Sequence, residues 1–297
     1  MNEKLFPSNF NPEIYKKNNK DLIDFNGAQL SLHYENYGLA EGRVASQIAS
    51  RKELVAHISN LNFSSCLEIG PFDCPILVGG NVKYFDVLSQ EELIHRAKEI
   101  GRVEKLHNIP IIEFVSKEGC LKTVNQKFDL ILSCHVIEHQ IDFIQHLNDV
   151  SDLLHENGYY VVICPDKRYC FDHFIPESNI AELISTHNIP SNSHSIKSVI
   201  EHRALTCHND PSRHWAGDHG DSEIDAERIR GAINEYEKAK IENKYIDVHS
   251  LQFTPSSFQK NINLLFKLKY INLLEEEIYP TIKNNFEFFA VLKKALN

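Results

Sequence analysis

Three groups of residues in this 297-residue chain have the types and spacing to do chemistry. The first is Glu68-Ile69-Gly70-Pro71 together with Asp86, which closes the next apolar run. Gly70 would let the backbone approach a ligand with no side chain between them, and a tight strand-to-loop turn would use it equally well. A carboxylate at the end of a following strand accepts hydrogen bonds from both hydroxyls of a ribose; a helix cap or polar strand end is the plainer role. The second group is His135-x-x-Glu138-His139, directly after Phe128–Ser133. On a helix, His-x-x-Glu-His offers two zinc ligands one turn apart and a glutamate to activate water. Here Gln140–Asp142 breaks the helical stretch, so crevice residues and polar groups that fix the loop stand level, both ahead of zinc hydrolysis. The third group lies in SRHWAGDHGDSE, which crowds His214, Asp218, His219 and Asp221 around Gly217 and Gly220. A histidine has the acidity to take a proton from an activated hydroxyl, and Asp218 can orient His219 or help bind a metal. The bland alternative is a solvated loop whose Asp221-Ser222-Glu223 caps the next helix. A divalent metal ion is compatible with these side chains, but no spacing specifies one.

The elements that must position these groups alternate. Apolar runs end at Ile69, span Val82–Val87, Ile111–Val115 and Phe128–Ser133, and resume as YYVVIC after the turn Asn157-Gly158. They are short, unbroken and rich in Ile, Leu and Val, as strands of a parallel sheet buried on both faces are. Between them Gln90–Glu104 and Asp142–Leu154 read as helices, and Val44, Ile48, Val55 and Ile58 predict another from Glu41. Strand and helix in alternation make an α/β, doubly wound sheet, whose ligands sit beyond the carboxyl ends of the strands. The first forty residues carry aromatics without a sustained period and read as an irregular arm or lid. After Pro165 the alternation stops, and only Asp221–Lys240 is a clear helix candidate before it resumes at Pro255–Phe266. INLLEEEIY and FEFFAVLK then read as two adjacent antiparallel strands.

Hydrophobic residues at 42% and charged residues at 24% are those of a soluble globule. A net charge of -10 argues against a broad nucleic-acid surface. Seven cysteines without a Cys-x-x-Cys pair point to a reducing compartment, hence the cytoplasm. No stretch approaches the length of a transmembrane segment, and no apolar signal follows Met1. The oligomeric state is left open.

From Leu61 to Pro165, and more weakly from Asp247 onward, the chain resembles class I S-adenosylmethionine-dependent methyltransferases. The likeness is carried by LEIGP, Asp86, FDLILSCHVIEH and LNDVSDLLHENGYYVVICPD. VVICPDKRYCFD further resembles bacterial methyltransferases associated with surface-polysaccharide synthesis. The resemblance implies a seven-stranded Rossmann-like sheet, S-adenosyl-L-methionine as cofactor, and an inserted lid or substrate region after the fifth strand. Residues 1–40 are then an arm or lid, 41–165 the cofactor-binding core, 166–246 the insertion and 247–297 the completion of the sheet. By the same resemblance Glu68, Gly70 and Pro71 wrap the amino-acid end of the cofactor and Asp86 holds its ribose. Ser116, Lys117 and Glu118 border the adenine, and Ser133, Cys134 and His135 lie beside the methyl group.

The implied reaction is O-methylation of a saccharide or cell-surface polysaccharide precursor, with another small molecule as the alternative acceptor and a non-catalytic interaction module as the alternative role. His219, Asp218 and His135 are its candidate catalytic residues. Lys167 and Arg168, just beyond the fifth strand, are placed to meet a substrate phosphate or uronate, and Tyr169, His214 and Trp215 to meet the acceptor. Two departures stand out. Phe72 replaces the usual second glycine and would narrow the space, so either the loop takes another path or the cofactor binds weakly. Ser116 and Lys117 stand where an adenine-side acid is usual.

Overall fold

The computed structural model describes residues 4–189 and 191–296. Its strands are β1 (Cys66–Ile69), β2 (Val82–Asp86), β3 (Phe114–Val115), β4 (Phe128–Cys134), β5 (Leu154–Pro165), β6 (Leu273–Tyr279) and β7 (Glu287–Lys294). They form one seven-stranded sheet in the order β3-β2-β1-β4-β5-β7-β6. β1 to β5 pair in parallel, whereas β7 runs antiparallel to both β5 and β6. This is the class I methyltransferase-like order. The direction of winding reverses between β1 and β4, and that reversal opens a crevice at their carboxyl ends.

Both faces of the sheet are covered, which is why β4 and the YYVVIC part of β5 are apolar on both faces rather than alternating. Along β4, Ile131 enters one core with Phe143, Leu147, Phe258 and Ile262. Its neighbours Leu130 and Leu132 enter the opposite core with Leu54, Ile58 and Val291. The helices that supply these residues begin where side chains satisfy their free amides. Ser50 caps Arg51–Asn60, Asp142 caps Phe143–Leu153, and Thr254 caps Pro255–Lys267 with Pro255 in its first turn.

Several expectations change in place. The helix expected from Glu41 begins only at Arg51, after the Ser50 cap. The helix expected to reach Glu104 stops at Glu99, because Gly101 takes a left-handed φ of 77° and turns the chain. The Asn157-Gly158 turn is a bulge within β5: the register passes from Phe128↔Leu154 directly to Leu130↔Tyr159. The arm is not irregular. Helices Pro12–Asn18 and Gly27–His33 bury Tyr15, Leu22, Leu30 and Tyr34 against one another, and Tyr279 Oη donates to the Pro7 carbonyl at 2.6 Å. Its aromatics pack as a cluster, so they leave no period in the sequence.

Among the described residues the stretch after β5 holds four α-helices, Ile180–Asn188, Ile196–Ala204, Pro211–Trp215 and Ala226–Glu242. The expected helix at Asp221 starts at Ala226, capped by Asp225. Among the described residues no helix is long and apolar enough to cross a membrane, and all seven cysteines are unpaired.

Candidate functional site

β1 delivers the first part of the site. Gly70 follows it at φ 69°, donates its amide to Phe85 O at 2.9 Å, and lies so close to β4's exit that a Cβ there would meet Val136 Cγ2 at 2.7 Å. Glu68 does not face the crevice. Its buried carboxylate accepts the amides of Ile76 (2.9 Å) and Leu77 (2.8 Å), fixing the return of the Gly70–Leu77 loop. Burial pushes that carboxyl up to about 7 against the pull of the two amides. Pro71 is buried in the same loop. Phe72 takes φ 41° and packs its ring on Leu93, Ala97 and Ile109, with the Arg102 guanidinium 5.7 Å from the ring centre.

Asp86 ends β2 with 7% of its surface exposed. Its Oδ1 accepts the Leu88 amide at 3.1 Å, and the next helix is capped by Ser89 instead. Burial pushes the Asp86 carboxyl up to about 6. Ser116 donates its amide to Asp86 O at 3.1 Å, but its hydroxyl is engaged by the Cys120 amide. Lys117 pairs with Glu92, and Glu118 is exposed.

At the end of β4 the three cofactor-side candidates part company. Ser133 is 0% exposed and bonds Tyr160 Oη at 2.7 Å, which in turn bonds His146 Nε2 at 2.9 Å. It belongs to the interior under the Phe143–Leu153 helix and is out of reach of a ligand. Cys134 is half-buried, and burial raises its thiol far above the ordinary range. His135 turns out at φ 53° and sets Nε2 2.7 Å from Glu287 Oε1, the same carboxylate that pairs with Arg51. Glu287 is absent from any sequence motif. It arrives because antiparallel β7 starts where β5 ends, with Pro165 opposite Glu287.

The electrostatics of this pair follow from its partners. Burial alone would raise the Glu287 carboxyl, but the His135 and Arg51 hydrogen bonds outweigh it and hold it below the usual range. Burial alone would lower His135; the bond to Glu287 and the charge of Glu138 hold it above. The His-x-x-Glu-His segment is not an α-helix but one 3-10 turn, Ile137–His139. The zinc-peptidase arrangement, which needs the two histidines on one helical face, is therefore absent.

The insertion engages its own candidates. Lys167 Nζ donates to His173 O at 2.7 Å, and Arg168 Nε donates to the fully buried Asp166 at 2.9 Å. Tyr169 and Trp215 stack on each other with centroids 3.9 Å apart, and Trp215 Nε1 donates to Asn285 O at 2.8 Å. That bond ties the helix Pro211–Trp215 to the segment leading into Glu287. His214 is buried, with Nε2 3.1 Å from His208 O and Nδ1 3.0 Å from His219 Nδ1; burial pushes it down to about 4. Asp218 does not orient His219: it is exposed and pairs with Arg213 at 2.8 Å. His219 instead stacks on His173 at 3.7 Å.

Two hollows, of about 500 Å³ beside Asn148 and Tyr270 and about 440 Å³ under the helix Ile180–Asn188, are not lined by Gly70, Asp86 or His135.

No family model and no curated protein matches the chain. Among solved structures, it is similar to an S-adenosylmethionine-dependent methyltransferase from Clostridium acetobutylicum, at 12% identity and TM-score 0.42 over 91% of this chain and 99% of that one. The plantazolicin methyltransferase BpumL, in complex with a desmethylPZN analog and SAH, is 11% identical at TM-score 0.42 over 96% of each chain. A putative O-methyltransferase from Klebsiella pneumoniae is 8% identical at TM-score 0.36 over 96% of this chain and 98% of that one. Likenesses this low add nothing to the strand order. On that order, the chain has a class I methyltransferase-like fold with helices inserted after β5.

Proposed function

We propose that the protein transfers a methyl group from S-adenosyl-L-methionine to a hydroxyl of a small polar acceptor. Fold alone does not carry an activity. The observation that carries this one is the meeting of the Gly70 turn, buried Asp86 and the His135–Glu287 pair at the carboxyl ends of β1, β2 and β4. When bound, the cofactor supplies an activated methyl on a sulfonium. The chain's residues fit it: Gly70 leaves backbone without a side chain, Phe72 is packed on Leu93, Ala97 and Ile109, and Asp86 is a desolvated acceptor for ribose hydroxyls. His135 takes the acceptor's proton on Nδ1, beside Glu138, while Nε2 donates to Glu287, which is itself anchored by Arg51. His219, whose Nδ1 faces His214, serves in the covering insertion.

For the acceptor, VVICPDKRYCFD favours a saccharide or cell-surface precursor. A different small molecule is favoured by the engagement of the residues that were to bind a sugar: Arg168 is paired with Asp166, and Tyr169 and Trp215 cover each other. Calorimetric titration with S-adenosylhomocysteine tests the cofactor, with one-to-one binding expected and a nicotinamide dinucleotide as control. A screen with radiolabelled methyl donor against nucleotide sugars, oligosaccharides and phenols then tests the acceptor. Absence of S-adenosylhomocysteine binding would refute the reading in favour of an interaction module.

A further inference from the structure

Glu138 is 1% exposed, and among the described residues neither of its carboxylate oxygens has a hydrogen-bond partner. A carboxylate stripped of water and left without donors is costly, and a cation beside it would relieve that cost. The nearest groups are histidines at ion-pair distance and too far to bond: His135 Nδ1 at 3.6 Å and His249 Nε2 at 4.0 Å from Oε1. The ring of His139 stands edge-on to that of His249, centroids 4.6 Å apart. One ligand atom each from Glu138, His139 and His249 lies within 4.8 Å of the other two. Donors sharing a metal at ~2.0–2.1 Å lie roughly 3–3.5 Å apart, so a cation needs to draw these in only modestly.

A second, independent feature is the support behind them. His249 Nδ1 is 2.6 Å from the buried carboxylate of Asp172. A carboxylate on the far nitrogen is the usual way a metal-binding imidazole is oriented. The two segments are also stapled through the backbone, the Ser250 and Leu251 amides donating to Glu138 O at 2.8 and 3.1 Å. By contrast, the cluster His173, His214 and His219 has its nitrogens largely engaged, with His173 Nδ1 on Arg168 O and His214 Nε2 on His208 O.

We propose that Glu138, His139 and His249 hold a divalent first-row transition-metal ion, with Asp172 fixing the ring of His249. Two imidazoles and one carboxylate favour zinc, manganese or iron over magnesium and calcium, which prefer all-oxygen sites. Three protein ligands leave positions open, and the turn that carries Glu138 and His139 follows directly from β4 and His135. Metal binding stands on these residues alone. Its use, holding the acceptor oxygen beside the crevice, rests on the methyl-transfer reading.

The full chain without a histidine tag, stripped with chelator, is titrated with Zn²⁺, Mn²⁺ and Mg²⁺ by calorimetry, with S-adenosylhomocysteine affinity measured on the same samples. One equivalent of transition metal is expected, with Mg²⁺ weaker. Glu138→Gln and His249→Ala should each weaken binding by about a hundredfold or more, Asp172→Asn by roughly 10–100-fold, and His214→Ala not at all. X-ray absorption of the loaded wild-type protein should show a mixed nitrogen and oxygen shell with two imidazoles, a readout that does not depend on any variant folding. No stoichiometric binding, a three-imidazole shell, or loss on His214→Ala instead of Glu138→Gln overturns the proposal. S-adenosylhomocysteine binding retained in a protein that takes no metal would sink the metal site and leave the cofactor reading standing.

Discussion

Asp86→Asn separates a residue kept for ligand binding from one kept for the fold. Burial lifts the Asp86 carboxyl from 3.8 to about 6. Two pH units correspond to about 3 kcal/mol against the ionised form at neutral pH. Asparagine removes that penalty but is a weaker acceptor for the backbone amides of Leu88, Val87 and Phe72, at about 1–2 kcal/mol in all. The ligand-free variant should therefore be more stable than wild type by roughly 1–2 kcal/mol at pH 8. A group whose folded pKa is raised favours the folded state fully below its unfolded value and loses that contribution as pH rises through the folded one. The advantage of Asn should accordingly be absent below pH 4, grow between pH 4 and 6, and stay level above. Binding should move the other way. Loss of charge-assisted bonds to ribose costs about 1.5–3 kcal/mol, roughly ten- to a hundredfold in S-adenosylhomocysteine affinity. In the wild type that affinity should fall as pH drops through about 6, and in Asp86→Asn it should be flat there. Urea melts from pH 4 to 8 with calorimetry at each pH measure both quantities. A variant that is less stable at pH 8 and binds S-adenosylhomocysteine as tightly as wild type would refute the reasoning and make Asp86 a structural residue.

Gly70→Ala places a side chain at φ 69° and against Val136, so stability should drop by about 1–2 kcal/mol from the dihedral alone; adding Val136→Ala should recover only the contact part, as thermal melts of both variants would show. Ser133→Ala should cost about 1 kcal/mol by removing a partner of Tyr160 while leaving S-adenosylhomocysteine affinity unchanged, and a weakened affinity would return Ser133 to the site. With a cognate acceptor in hand, His135→Ala should slow transfer by roughly 10²–10⁴ and Glu287→Gln should slow it less, both with cofactor affinity retained. If single-turnover rates fall for His219→Ala and not for His135→Ala, the base lies in the insertion.

Local sequence determined the strands of the core. Runs such as Phe128–Ser133 and YYVVIC are apolar on both faces because both faces are covered, a property visible in one dimension, and the ends of β1 and β2 at Gly70 and Asp86 follow directly. The arm was opaque because its aromatics cluster in space without repeating along the chain, and the short helices of the insertion because each is set by a single cap. What the candidate side chains engage was decided only by tertiary structure. Asp218 and Arg168 read as free reactive groups until Arg213 and Asp166 are seen holding them, and Ser133 read as crevice-lining until its bond to Tyr160 places it inside. Glu287 brought to His135 by an antiparallel strand, His249 brought to Glu138, and Asp172 brought to His249 are pairings between residues far apart in the chain. No local pattern encodes such meetings, because they are set by where the folded backbone returns, not by the residues on either side of each partner.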